Sequence, residues 1–287
     1  MRLWALSDLH VGYRANRELL AHVSPRPGDW LILAGDVGET LEHLRWAFDH
    51  FQPRFARLLW VPGNHELWTS DEHGARLGGA SKYAALVDLC RARGVLTPED
   101  PWPLWPGDGG AHRIALMALL FDYSLAPAGM DPAAAVAWAA EDGTVSADEV
   151  RLDPAPHPDI GTWCAERLHR TSARLAAEID HPAVLVNHWP LRDDLIHIPR
   201  VPRFVPWCGT LATRDWHTRH RAAVVVSGHL HTRRTDWRDG VRFEEVSLGY
   251  PKQHRPGLPA DAYLRQILPE PPPPDGAPDR WIGPRQP

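Results

Sequence analysis

The sequence predicts an α/β fold, and three observations carry that prediction. Apolar runs of strand length recur along the chain, helix-spaced apolar patterns fall between the early ones, and Gly, Pro and Asp mark the breaks. With 287 residues, 44% of them hydrophobic and 23% charged, the chain can bury a large core and has an ordinary globular composition.

Taken in order, Leu3-Trp4-Ala5-Leu6 is the first strand and ends at Ser7-Asp8-Leu9-His10. Asn16 to His22 reads as a short helix. Asp29 to Ala34 is the second strand, ending at Gly35-Asp36, and Thr40 to Phe51 comes next as a helix with Leu41, Leu44, Phe48 and Phe51 on one face. Leu58 to Val61 is the third strand; it breaks at Pro62-Gly63 and then presents Asn64, His65 and Glu66. Lys82 to Arg93 is an amphipathic helix stopped by Gly94. A Pro- and Trp-rich loop from Pro98 to Gly110 leads to a fourth strand, Ile114 to Phe121, which ends at Asp122-Tyr123.

Thr162 to Ile179 is a helix, and Ala183 to Val186 a strand that runs into Asn187-His188. Ala222 to Val226 ends at Ser227-Gly228-His229-Leu230-His231. Val241 to Leu248 is the last strand, paired as a hairpin with Thr235 to Trp237. Two irregular stretches, 124–158 and 191–220, read as insertions, the first with an Ala-rich piece at Ala133 to Ala140 and the character of a lid. One domain over 1–250 is therefore expected. A Pro-rich tail, 251–287, with four prolines at Pro271 to Pro274, is expected to form no core of its own and to wrap the surface or stay partly disordered.

The formal net charge of −5 gives no global attraction to nucleic acid or anionic membranes. Cys90, Cys164 and Cys208 are odd in number and far apart, which argues against a disulfide framework or a thiolate zinc site. No stretch is apolar enough to span a bilayer, and Met1-Arg2-Leu3 leads straight into the first strand, so a cytoplasmic protein is expected.

Five apolar runs end in polar groups: Asp8 and His10; Asp36; Asn64 and His65; His188; His229 and His231. In α/β sheets the carboxyl ends of strands converge on one crevice, so these groups are expected to meet. They form a mixed oxygen and nitrogen donor set, suited to Mn, Fe, Ni or Zn more than to Ca or Mg. The set is too large for one ion and about right for two, with Asp36 the natural bridge. Such a pair clamps a phosphoryl group and generates a nucleophile from water.

The blocks Asp8-Leu9-His10, Gly35-Asp36, Gly63-Asn64-His65-Glu66, His188 and Gly228-His229-Leu230-His231 resemble, in order, the signature of the calcineurin-like metallophosphoesterases. The resemblance spans Asp8 to His231 and implies a four-layer α/β/β/α sandwich of two mixed sheets flanked by helices. It also implies that one ion is held by Asp8, His10, Asp36 and His231, and the other by Asp36, Asn64, His188 and His229. His65 is then no ligand; it stabilises the transition state or protonates the leaving oxygen, with Glu66 orienting it. One departure is Asn187 before His188, where many members carry Gly.

Arg192 and Arg203, between two ligand blocks, are the candidate contacts to substrate phosphate, because the Arg fork matches phosphate oxygens. Trp189 and Trp207 are candidates for stacking on a substrate ring. Trp68, His73, Asp122 and Tyr123 read as ordinary strand-end and loop residues. The expected activity is metal-dependent hydrolysis of a phosphate ester, first a small-molecule phosphomonoester. A phosphodiesterase on a cyclic nucleotide or other small diester is the alternative; a nuclease and a non-catalytic scaffold rank behind it, and neither nucleic acid nor membrane is an expected partner.

Overall fold

The computed structural model describes residues 1–72 and 74–271. The strands are β1 (Leu3–Leu6), β2 (Arg26–Ala34), β3 (Phe55–Val61), β4 (Ser70–Glu72), β5 (Ala75–Leu77), β6 (Leu104–Trp105), β7 (His112–Leu116), β8 (Ala183–Val186), β9 (Ala222–Ser227), β10 (Thr235–Arg238), β11 (Val241–Glu245) and β12 (Arg265–Leu268). The helices are α1 (Arg14–Leu20), α2 (Leu41–Phe51), α3 (Asn64–Leu67), α4 (Gly79–Ala92), α5 (Pro132–Ala140), α6 (Asp148–Arg151), α7 (Ile160–Glu178) and α8 (Trp216–Arg219).

Two sheets carry the architecture. The first has strand order β12-β1-β2-β3 and the second β10-β11-β9-β8-β7-β6. β1, β2 and β3 are parallel, as are β7, β8, β9 and β11, while β12, β10 and β6 are antiparallel edges. The period of two along a strand sorts the core into two layers. In β2, Ile32 and Ala34 face the second sheet with Ile114, Val184 and Val226, whereas Leu31 and Leu33 face Leu44, Phe48 and Leu86 on α2 and α4. β3 repeats the pattern, with Leu59 and Val61 inward and Leu58 and Trp60 toward the helices. Trp216 of α8 joins the layer that holds the second sheet. This is the sandwich of two mixed sheets with helices outside.

Local chemistry accounts for the helix starts. The Thr40 side chain accepts from His43 N–H, and Asp159 caps α7 by accepting from Thr162 N–H at 2.7 Å. Differences from expectation have local causes too. The fourth strand stops at Leu116, because Asn187 Oδ1 takes Leu119 N–H at 3.0 Å and turns the chain out of the ladder. The loop 98–110 contains the short edge strand β6. The insertions hold α5 and α6, and a 3₁₀ segment (Pro202–Trp207) precedes α8.

The larger correction concerns the tail. β12 pairs with β1, and Ile267 and Leu268 are buried between the sheets, so 265–268 belongs to the core. Residues 272–287, with Pro272 to Pro274, lie outside the described residues, as does His73. The three cysteines are buried and unpaired. Among the described residues no helix is long and apolar enough to cross a membrane.

Candidate metal centre

Parallel strands bring their carboxyl ends to one edge of each sheet, and the two sheets meet there. Ser7 bridges to Ser247, joining the end of β1 to the segment after β11: Ser7 N–H donates to Val246 O and Leu248 N–H to Ser7 O. Across the gap His229 N–H donates to Asp8 Oδ2 at 3.1 Å, and within the first sheet His10 N–H donates to Asp36 O at 3.0 Å. Residues far apart in sequence are thereby locked at one point.

The backbone is strained there. Asp8, His10, Asp36, His229 and His231 all take left-handed conformations, with φ of 52°, 42°, 51°, 71° and 52°. Non-glycine residues adopt this region at a cost and tend to do so where surrounding structure dictates it. Close approach explains two glycines. A Cβ on Gly63 would collide with the Asp36 carboxylate, and one on Gly228 with Asp8 and Ser7.

Three groups have donor atoms within 4.8 Å of one another: Asp8, His10 and His231; His10, Asp36 and His65; and Asp8, Asp36 and His188. Asp8, His10 and Asp36 each belong to two of them, so the three groups form one continuous cluster. Five buried atoms at the site have no hydrogen-bond partner: Asn64 Oδ1, His188 Nε2 and His229 Nε2, and beside them His65 Nδ1 and Asp148 Oδ2. The first three belong to the residues that the resemblance would place, with Asp36, on a second ion. A buried orphan acceptor is costly, and a cation would satisfy those three together. The His188 tautomer agrees, because Nδ1–H donates to Ala34 O at 2.9 Å and leaves Nε2 facing inward. The donor set therefore fits divalent cations.

The electrostatics are those of buried anions among imidazoles. Burial disfavours charge on Asp8, but His231 and His188 outweigh it and hold its carboxyl well below the usual range. Asp36 behaves likewise, through His188 and His65. Burial pushes His10 and His229 down to about 3, so both rings are neutral with a lone pair to offer. Burial also opposes charge on His188 and His231, yet Asp36 raises the first to about 10 and Asp8 the second to about 9. A bound cation would take over that neutralising role, and its binding would release protons.

His65 lies with the cluster, its Nε2 3.8 Å from Asp36 Oδ2. Glu66 does not orient it. Both Glu66 oxygens face backbone, accepting from Asp36 N–H at 2.9 Å, Val37 N–H at 2.7 Å and Gly63 N–H at 2.9 Å. Glu66 is the third residue of α3, and an acid at that position reaches back over the helix start toward the preceding backbone. The carboxylate that faces the His65 ring is Glu39, with Oε1 3.5 Å from Nδ1. Burial works against charge on His65, but Asp36 and Glu39 prevail and raise its pKa.

The arginine expectation also changes. Arg192 is held by Asp194 at 2.8 Å and Asp239 at 3.2 Å, and Arg203 by Glu141 at 2.7 Å and the Trp138 carbonyl. Local carboxylates thus engage both guanidiniums, so neither has its fork free for a phosphate. Trp189 borders His188 and His229, with ring centroids 5.2 Å and 5.7 Å away, but its indole N–H is spent on Trp207 O.

Four residues at the site escaped the sequence reading. Glu39 had a signal, an acid three positions after Asp36 in the same turn. Tyr250, beyond the last ligand block, had none; its ring stacks on His10 at 4.4 Å, and its hydroxyl lies 3.5 Å from His65 Nε2. Trp68, read as a loop residue, covers His65 with ring centroids 3.7 Å apart. Asp148 arrives from the first insertion and accepts from the side chains of Asn64 and Trp68.

A sandwich of two mixed sheets with Asp, Asn and His converging at their joined edge defines a metal-dependent phosphoesterase. The pattern of the calcineurin-like phosphoesterases matches residues 1–233, and the chain belongs to that family. It is a phosphoric ester hydrolase. The chain is similar to the acyl-carrier-protein phosphodiesterase PptH of Mycobacterium tuberculosis, with 48% identity over 273 residues, 94% of this chain and 84% of that protein. It is likewise similar to the crystal structure of phosphopantetheinyl hydrolase PptH from the same organism, at 47% identity and a TM-score of 0.87, covering 94% of this chain and 96% of the other.

Proposed function

We propose that this protein is a two-ion phosphodiesterase that releases a phosphopantetheinyl group from an acyl-carrier protein. The carrying observation is 48% identity to PptH across 94% of the chain; the clustering of Asp8, His10, Asp36, His188 and His231 supports the reading. A second consideration favours a diester over a monoester. Arg192 and Arg203 are engaged by acidic partners, and a diester monoanion demands less cationic compensation than a monoester dianion.

Asp8, His10, Asp36 and His231 are assigned to one ion, and Asp36, Asn64, His188 and His229 to the other. Such ions supply a water of lowered pKa and a clamp on the phosphoryl oxygens. The chain's own groups do the rest. His65, biased toward its charged form by Asp36 and Glu39, is placed to hand a proton to the departing oxygen. The Tyr250 hydroxyl beside His65 Nε2 offers a second donor at the same spot. Trp68 shields one side of the imidazole from water.

The test incubates the Mn²⁺-loaded protein with a phosphopantetheinylated carrier protein and tracks intact mass. Loss of the phosphopantetheinyl mass, together with faster hydrolysis of bis-p-nitrophenyl phosphate than of p-nitrophenyl phosphate, is the expected result. An unchanged carrier mass with preference for the monoester would return the assignment to a phosphomonoesterase.

A further inference from the structure

The first insertion does more than cover the site. Asp148, on α6, is only 3% exposed although 84 residues separate it from Asn64. Its Oδ1 accepts from Asn64 Nδ2 at 2.9 Å and from the Trp68 indole N–H at 2.6 Å. A carboxylate accepts only from the nitrogen side of an amide, so this bond fixes which way Asn64 points. Asn64 Oδ1 is turned the other way, buried and without a partner.

The next residue faces the opposite direction. Glu149 Oε1 accepts from Tyr123 O–H at 2.8 Å and from Trp207 N–H at 2.6 Å. Trp207 ends the 3₁₀ segment whose Phe204 ring lies 5.9 Å from His229. Arg151 closes the turn: its carbonyl accepts from Thr69 N–H at 2.7 Å, and its guanidinium sits 4.8 Å from the Trp68 ring centroid. Within four residues, α6 ties both irregular stretches to the side of the site that carries Asn64 and His229.

We propose that Asp148 is a positioning residue for the ion held by Asn64, His188 and His229, and that binding of this ion and docking of the first insertion are coupled through it. The proposal rests on the two-ion reading above. Asp148 holds the Asn64 oxygen toward the ion, and the ion in turn holds Asn64 toward Asp148. Linkage makes the effect reciprocal: whatever favours one side of this contact favours the other. A substrate gripped by the insertion would thereby tighten the second ion.

Metal-free protein is titrated with Mn²⁺ against a chromophoric chelator. Wild type is expected to take two ions per chain. Asp148→Ala should weaken one step about 10- to 100-fold, the range typical for lost partners of metal ligands, and leave the other step unchanged as an internal control for folding. Asp148→Asn keeps an acceptor oxygen and should recover most of the lost step. A readout without any variant is hydrogen exchange: saturating Mn²⁺ should slow exchange across 148–152 in wild type. Two ions bound with unchanged affinity by a folded Asp148→Ala chain would overturn the proposal and leave the two-ion reading standing. So would exchange at 148–152 that is indifferent to Mn²⁺. A wild type that never takes a second ion would overturn the two-ion reading, and this proposal with it.

Discussion

At the scale of single residues, two glutamates near Asp36 divide structure from chemistry. Glu66 is fully buried and receives three backbone N–H bonds from the Asp36 and Gly63 turns. Burial, with Asp36 close by, still pushes its acid up to about 7. Glu39 is half-exposed and meets the His65 ring. Their variants should therefore differ in kind. Glu66→Gln turns amide hydrogens toward backbone donors and should cost about 2–4 kcal/mol in urea melts. Glu39→Gln should leave the melt unchanged and lower kcat about 10- to 100-fold on alkyl esters, but less on p-nitrophenyl esters, whose leaving group needs little protonation. An unaltered kcat in Glu39→Gln would remove Glu39 from the mechanism.

At the scale of elements, the strand ends set the site and the edge strand β12 holds the first of them in place. Pairing along β1 covers an edge that would otherwise be open, and Ile267 and Leu268 fill the layer between the sheets. Ile267 is wholly inaccessible to solvent. Ile267→Ala should cost about 2–5 kcal/mol in urea denaturation, as for other large-to-small changes in a packed core. A segment merely lying on the surface would show almost no change.

At the scale of the whole molecule, the candidate metal centre is a joint. The segments just after β1, β2 and β3 carry Asp8, His10, Asp36 and Asn64, while those after β8 and β9 carry His188, His229 and His231. Ions held between them would bind the folded arrangement and have no equivalent in the unfolded chain. At about a thousandfold excess over Kd such binding adds about 4 kcal/mol, so removing metal with EDTA should lower Tm by about 5–15 °C, and Mn²⁺ should restore it. A Tm indifferent to chelation would argue that the sheets are joined by their packing alone.

The central strands and the candidate donor set were legible because each rests on a local pattern. Apolar runs make buried strands, a Gly or Pro break ends them, and parallel strands deliver the residues after that break to one edge. Asp8, His10, Asp36, Asn64, His188, His229 and His231 announced themselves in that way. The groups that answer them across space were not legible. That Asp194 and Glu141 engage Arg192 and Arg203, that Glu39 and not Glu66 meets His65, and that Asp148 and Tyr250 reach the site depends on how loops fold back over the sheets. The pairing of β12 with β1 is of the same kind, a contact between the two ends of the described chain. Sequence alone determined the fold class and the candidate donors, through short-range patterns that need no partner. Only the tertiary structure decided the surroundings of those donors, because each such contact is a choice among distant groups that no local pattern encodes.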